Sequence, residues 1–203
     1  FYNENTQGAV YPTPVIGMVG MLEDMAHATS ISYKNERDFI VCLGSLNPTL
    51  GGSEYLKIVH GKIEGPLHNF DIKSELDVQN LCLDAIKEGL INSAHDISDG
   101  GLAVNIAESI LFSDKGIGAE INLSRKMRND ELLFGECQSV IIVTINEENL
   151  FTLVEKAQAL NVYTQTIGKV TSNGKLIIND LIDIGKKELN DAYFQSLEKI
   201  MKS

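Results

Sequence analysis

The five residues Phe39-Ile40-Val41-Cys42-Leu43 decide the fold, because a short, wholly apolar run between a charged stretch and a glycine is typical of a buried strand. Strand and helix patterns alternate along the chain that follows. Apolar residues spaced by three and four predict helices over 75–90, from about residue 100, over 147–160 and over 187–201. Further strands are predicted over 91–97, 117–123, 140–145, 162–170 and 175–178. This order predicts an α+β fold with α/β layering, in which a mixed β-sheet is packed with helices.

Residues 1–36 differ in pattern from the rest of the chain. The apolar run Val15–Leu22 follows two prolines and predicts a buried strand. The charged stretch 34–38 then separates it from the next strand. We therefore predict two units, the tail of a preceding domain over 1–36 and a further domain over 37–203. A chain that begins Phe1-Tyr2-Asn3, without an initiator Met, is expected to be a fragment of a longer polypeptide.

Composition excludes several classes of partner. The chain has 203 residues, with 28 Asp and Glu against 17 Lys and Arg, and a net charge of −11. Such an acidic chain repels nucleic-acid phosphates, so no nucleic-acid partner is expected. Its apolar runs are too short to cross a bilayer, so no membrane partner is expected either. Three cysteines without a CxxC pair indicate a reduced, cytoplasmic protein.

The segment His95–Leu102 carries the strongest chemical signal, because two carboxylates precede a Gly-Gly step at the start of a predicted helix. Adjacent glycines allow close approach of a ligand, so Asp99, Gly100 and Gly101 are candidates for binding a nucleotide phosphate. Asp96 and Asp99 are candidate Mg²⁺ ligands, since no cation lies near this loop in the sequence and a phosphate needs one here. In the alternative interpretation Asp99 only caps the helix, while Asp96 and His95 bond loop amides.

Two further segments are candidates for ligand contact. Gly51-Gly52-Ser53 precedes a short predicted helix near Tyr55 and can form a small anion nest for phosphate; alternatively it is a turn in which Ser53 caps that helix. Glu136, Cys137 and Gln138 precede a strand and are candidate substrate contacts, or simply the ordinary beginning of that strand. A nucleophilic role for Cys137 is not favoured, because no neighbouring residue is known to lower its pKa. No catalytic residue is assigned.

Four segments together resemble one family over essentially the whole chain: Phe1–Glu4, Tyr11–Gly20, Leu50–Tyr55 and His95–Leu102. The resemblance is to the C-terminal part of the phosphoribosylformylglycinamidine synthase family, synthetase subunit PurL, within the aminoimidazole ribonucleotide synthetase superfamily. It implies a fold like the C-terminal domain of aminoimidazole ribonucleotide synthetase (PurM), preceded by the tail of an N-terminal-type domain.

The resemblance also implies an activity, cofactors and partners. The family converts formylglycinamide ribonucleotide to the amidine with ATP and glutamine, so ATP or ADP, Mg²⁺ and a nucleotide substrate are implied. The implied partners are the N-terminal portion of the same polypeptide and a glutaminase subunit or domain that supplies ammonia. The family's main catalytic segments are absent here, so this fragment alone is expected to be inactive.

By the same resemblance, His95-Asp96 stands where the first half of such enzymes has a magnesium-binding Gln-Asp. Glu136-Cys137-Gln138 is comparable to a Glu-Ser-Gln substrate segment there. Two alternatives stay open: a non-catalytic scaffold or auxiliary nucleotide-binding half of that enzyme, and another superfamily member such as a selenophosphate synthetase or a hydrogenase-maturation dehydratase.

Overall fold

The computed structural model describes residues 3–6, 8–10, 13–67, 69–113, 116–123 and 127–202. Part of the motifs at 1–4 and 11–20 therefore lies outside the described residues. Within them the helices are α1 (Glu54–His60), α2 (Ile72–Lys87), α3 (Gly101–Leu111), α4 (Asn129–Phe134), α5 (Glu147–Ala159) and α6 (Lys186–Lys202). The strands are β1 (Glu4–Asn5), β2 (Gly8–Ala9), β3 (Phe39–Leu43), β4 (Ile91–Asp96), β5 (Gly118–Ile121), β6 (Ile141–Ile145), β7 (Thr164–Thr171), β8 (Lys175–Ile178) and β9 (Ile182–Gly185).

Seven of the described strands form one mixed sheet in the order β4-β6-β3-β7-β5-β8-β9. Strand β3 lies inside it and pairs antiparallel with β6 on one side and β7 on the other. Strands β5 and β8 pair in parallel. Strands β1 and β2 form a separate antiparallel pair. The predicted mixed sheet packed with helices is confirmed.

Successive residues of β3 point to opposite faces of the sheet and enter two different cores. Ile40 and Cys42 pack in the core beneath α3 and α4, and Val41 and Leu43 pack in the core beneath α2 and α5. All four side chains are at most 1% exposed. Each fully buried Ile, Val or Leu contributes about 1.5–3 kcal/mol, so the sheet is stabilised from both sides.

The predicted strand over Val15–Leu22 is wrong. Residues 13–22 have no regular secondary structure, and Val15, Met18 and Met21 are 97%, 90% and 91% exposed. A strand needs a neighbour for its backbone hydrogen bonds, and none of the described strands pairs with this segment. Its apolar side chains consequently have no core to enter.

The chain joins the folded body before the predicted boundary at residue 36. Tyr33 belongs to the core and is 2% exposed, and its amide donates to the Ser109 carbonyl oxygen at 3.2 Å. Burial raises the pKa of the Tyr33 phenol well above its ordinary value. Ser30 also takes part, since its carbonyl accepts from the Ala94 amide at 3.2 Å. The division into units at 36/37 stays a prediction.

Limited proteolysis should separate the exposed segment from the folded body. We expect a Glu-specific protease to cleave after Glu23 first, because residues 13–22 before it have no regular secondary structure and only the single 3-10 turn Met25–His27 follows it. Glu155 is the matched control, since it is also exposed but lies within α5. Mass spectrometry of a time course measures both rates. Cleavage after Glu155 before Glu23 would contradict the expectation.

Candidate functional site

The structure brings the three predicted ligand-contacting segments together. The loop 51–53 leads into α1, the loop 99–101 leads into α3, and Glu136 lies between α4 and β6. Thr49 and Glu136 exchange two backbone hydrogen bonds, from the Thr49 amide at 3.0 Å and from the Glu136 amide at 2.9 Å. The three segments therefore form one site.

The Glu136 carboxylate connects the two loops. Its Oε1 accepts a hydrogen bond from the Glu54 amide at 2.9 Å and another from the Gly100 amide at 3.0 Å. Glu54 is the first residue of α1, and Gly100 is the N-cap of α3. Helix N-termini favour negative charge, and hydrogen bonds to an ionised acceptor are stronger than neutral ones. One carboxylate thus satisfies the beginnings of two helices.

Backbone donors of the Gly51-Gly52-Ser53 loop are engaged within the protein. The Gly51 amide donates to Thr49 Oγ1 at 3.2 Å, the Gly52 amide to the Glu64 carbonyl at 2.9 Å, and the Ser53 amide to the Leu50 carbonyl at 3.1 Å. The interpretation of this loop as a capped turn is confirmed, because Ser53 Oγ accepts from the Leu56 amide at 3.3 Å.

Gly100 and Gly101 are required by backbone conformation and by packing. Their φ angles are +82° and +74°, which residues with a Cβ rarely adopt. A Cβ on Gly101 would lie 2.5 Å from the Gly135 carbonyl oxygen and 2.8 Å from the Phe134 carbonyl carbon. The absence of side chains at Gly100 and Gly101 therefore allows the start of α3 to pack closely against the end of α4.

Asp99 does not cap α3. Gly100 is the N-cap residue, and the cap has no side-chain hydrogen bond, so the capping interpretation of Asp99 is wrong. Asp96 and Asp99 are both exposed, and among the described residues neither carboxylate has a hydrogen bond or ion pair.

The expectation that no cation lies near this loop is also wrong. Lys57 is close enough that Glu54, and more weakly Asp99, raise the pKa of its ammonium group.

His95 faces α3 and not the loop. Its Nδ1 lies 3.2 Å from both the Asn105 carbonyl oxygen and Ser109 Oγ, and its Nε2 lies 3.5 Å from Glu108 Oε2. The interpretation in which His95 bonds loop amides is therefore wrong. Sequence reasoning missed Asn105, whose Nδ2 donates to the carbonyls of His95 and Asp96 at 3.3 and 2.7 Å. A polar residue on the buried face of α3 was the signal that could have identified it.

Two neighbours in the third segment have different environments. Cys137 is 2% exposed and packs in the core, whereas Gln138 is exposed. Gln138 lines a cavity of about 350 Å³ with Gly51 and Gly52, and another of about 240 Å³ with Asp96. Glu136 lines the first of these cavities as well, but its carboxylate already accepts two amide hydrogen bonds, so Gln138 is the candidate substrate contact that is exposed and without such bonds among the described residues.

Asp96 and Asp99 offer carboxylates, the type of protein ligand that Mg²⁺ takes beside a nucleotide. Among the described residues no three His, Cys, Asp or Glu side chains gather into a metal cage. Magnesium with a nucleotide needs only one or two carboxylates, because phosphate and water complete its shell. The buried Asn105 Oδ1 has no hydrogen-bond partner in the described part of the chain, although the same amide group bonds the Asp96 carbonyl. That acceptor is buried, whereas the carboxylates of Asp96 and Asp99 are exposed, so the fit to Mg²⁺ rests on the two carboxylates.

Comparison with protein families identifies the class. The family model for the C-terminal domain of AIR synthase related proteins matches residues 36–180, and the chain belongs to this family. The PurL subunit of phosphoribosylformylglycinamidine synthase from Thermoanaerobacter sp. strain X514 is 40% identical over 198 residues, covering 98% of this chain and 26% of that protein. The PurL subunit of Alkaliphilus metalliredigens strain QYMF is 35% identical, covering 100% of this chain and 28% of that protein. The chain thus spans about a quarter of the length of these relatives, and the resemblance stated from the motifs is confirmed.

A solved structure shares the fold. The structure of T. maritima PurL complexed with FGAR superposes with a TM-score of 0.67, covering 80% of this chain and 29% of that one, at 17% identity. None of the described helices is long and apolar enough to cross a membrane.

Substitution of Gly101 tests the packing of the site. We expect Gly101→Ala to destabilise the chain by about 1–2 kcal/mol from the left-handed conformation alone, and by more because its Cβ meets backbone atoms. Gly116→Ala is the control, because a Cβ there would have no described atom within 4 Å and the φ of Gly116 is not positive. Urea unfolding measures both. Equal stability of the two variants would refute the packing role.

Proposed function

We propose that this chain is the C-terminal part of a phosphoribosylformylglycinamidine synthase. This ligase converts formylglycinamide ribonucleotide to formylglycinamidine ribonucleotide in purine synthesis. The proposal is carried by the 40% identity to a PurL subunit over 98% of the chain. Because the chain covers only 26% of that relative, the activity belongs to a longer cytoplasmic polypeptide. In it residues 1–36 end an N-terminal-type domain and residues 37–203 form a C-terminal-type domain.

In the proposed reaction ATP transfers its terminal phosphoryl group to the amide oxygen of the substrate, and ADP is released. A glutaminase subunit or domain hydrolyses glutamine to glutamate and supplies ammonia. Ammonia adds to the activated carbon, the carbon–oxygen bond breaks, and phosphate leaves with that oxygen. The N-terminal portion of the same polypeptide supplies the catalytic residues, and none is assigned to this chain.

The contribution of this chain to the proposed site is made by exposed side chains. Asp96 and Asp99 are the residues that would hold Mg²⁺ against a nucleotide phosphate, and Gln138 is the candidate contact on the substrate side. When bound, the metal neutralises negative charge on the phosphate oxygens. Asn105 fixes the end of β4 at Asp96 by donating to its carbonyl oxygen at 2.7 Å.

A second candidate function is an auxiliary or scaffold half of the same enzyme. One observation favours it: the amides of Gly51, Gly52, Ser53, Gly100 and Gly101 already donate to protein oxygens. A phosphate bound by these residues would have to displace those contacts. The assignment of the five residues to a phosphate stays a prediction.

Substitution of Asp99 in the full-length synthetase subunit tests the proposed site. We expect Asp99→Asn to weaken magnesium-dependent ADP binding at least tenfold, because one metal-facing charge is lost, about 1.4 kcal/mol or more. The melting temperature should not change, since Asp99 caps no helix. Asp84→Asn is the control, because Asp84 is exposed on α2. Calorimetry gives the affinity. Unchanged affinity in Asp99→Asn and in Asp96→Asn would leave the scaffold function.

The 203-residue chain by itself should not catalyse the reaction. Phosphoryl transfer needs all of its ligands positioned together, and this chain supplies only part of them. The assay follows ATP-dependent amidine formation with ammonia as the nitrogen donor, with the full-length subunit as the positive control. Turnover by the chain comparable to that of the subunit would refute the proposed division of the site.

A further inference from the structure

The segment Phe134-Gly135-Glu136 is the point at which three helices meet. The Phe134 ring stacks on Tyr55 of α1, with centroids 5.2 Å apart and ring planes within 6°. Gly135 lies against Gly101 at the start of α3. A Cβ on Gly101 would lie 2.5 Å from the carbonyl oxygen of Gly135. Glu136 then bonds the first amide of α1 and the N-cap amide of α3. Three consecutive residues at the end of α4 thus fix the spacing of α1 and α3.

The chemistry at Glu136 is that of an anion bound by two helix N-termini. In an ordinary capping box, a Glu at the third helical position satisfies the N-cap amide of its own helix. Here that amide, on Gly100, is satisfied by a carboxylate 36 residues away, and the same oxygen also serves Glu54, 82 residues away. The backbone ladder between Glu136 and Thr49 holds the carboxylate in place, since both of its bonds are 3.0 Å or shorter.

We propose that the Glu136 carboxylate is itself the anion that the loops 51–53 and 99–101 bind. It occupies the position at which a ligand phosphate would otherwise accept their amide hydrogen bonds. The loops are joined by this carboxylate and take no phosphate from a ligand. Glu136 is accordingly a positioning residue: it holds the Asp99 loop beside α1, and the ligand-facing chemistry of the site is left to the exposed carboxylates. The inference deepens the proposed function by naming which groups a nucleotide would not use. It rests on that function only for the role of Asp99.

The test measures the Glu54 and Gly100 amides directly in the 203-residue chain, so that it is independent of turnover and of ADP. In the parent chain, titration with inorganic pyrophosphate in the absence of Mg²⁺, when the exposed Asp99 carboxylate repels phosphate, should leave both amide resonances unchanged. Glu136→Ala should speed hydrogen exchange at both amides and lower the Tm by about 5 °C or more, because two charge-assisted bonds are lost. Added formate should restore much of that Tm by placing a carboxylate in the vacated space.

A second variant and a control separate charge from packing. Glu136→Gln keeps an acceptor of the same shape without the charge. Its Tm should therefore fall less than that of Glu136→Ala, and added formate should not raise it. Glu155→Ala, at an exposed position on α5, should show neither the Tm loss nor the rescue.

Pyrophosphate shifts of both the Glu54 and the Gly100 amide in the parent chain without Mg²⁺ would overturn the proposal, since a ligand phosphate would then displace Glu136. Unchanged exchange and Tm in Glu136→Ala would also overturn it. If Glu136→Ala does not fold, the comparison of the parent chain with Glu136→Gln decides the question. An unchanged ADP affinity in Asp99→Asn would contradict the proposed nucleotide site, but it would not change the conclusion about Glu136.

Discussion

The rest of the structure depends on the pairing of β3 with two antiparallel neighbours, because this strand is apolar on both faces. Its ladders with β6 and β7 satisfy the backbone on both sides. Alternate side chains then require cover above and below the sheet, which the helices provide in two separate cores. A polar residue at Ile40 or Val41 would leave an unsatisfied group in one core or the other. The helices that carry the candidate site are positioned by this requirement, since α3 packs on the face that receives Ile40 and Cys42.

The packing of helices on the two faces of the sheet determines the geometry of the candidate site. Helix α3 follows β4 at the edge of the sheet, and Asn105 ties the two together through the carbonyls of His95 and Asp96. The residue that completes the arrangement lies elsewhere: Glu136 precedes β6, the neighbour of β4 in the sheet. Adjacent strands thus bring the ends of distant segments to one place, and the carboxylate of one segment satisfies the helices that begin in the others.

Elements with a clear apolar period were predictable from the sequence, whereas roles that depend on long-range contacts were not. Helices α2, α3 and α5 were predicted to within a few residues, because each has a face that must be buried. Helix α4 and strand β9 were missed: α4 has only six residues, less than two turns, and β9 has only two apolar residues, Ile182 and Ile184. Val15–Leu22 was predicted as a strand on composition alone, but a strand also requires a partner. A Gly-Gly step before a helix indicates either a phosphate nest or close backbone packing, and only the distant Gly135 and Glu136 distinguish the two.

The distribution of charge determines which ligands this surface can accept. The amides of Gly51, Gly52, Ser53, Gly100 and Gly101 bond to protein oxygens. The carboxylates of Asp96 and Asp99 are exposed, on a chain with a net charge of −11. The exposed groups that an approaching phosphate contacts are therefore carboxylates and not amide donors. Because both carry negative charge, they repel each other unless a cation binds between them. The Lys57 ammonium is already paired with Glu54 at 2.8 Å, so it offsets little of that charge. The two exposed carboxylates are consequently the groups to which the proposed magnesium complex of a nucleotide would bind.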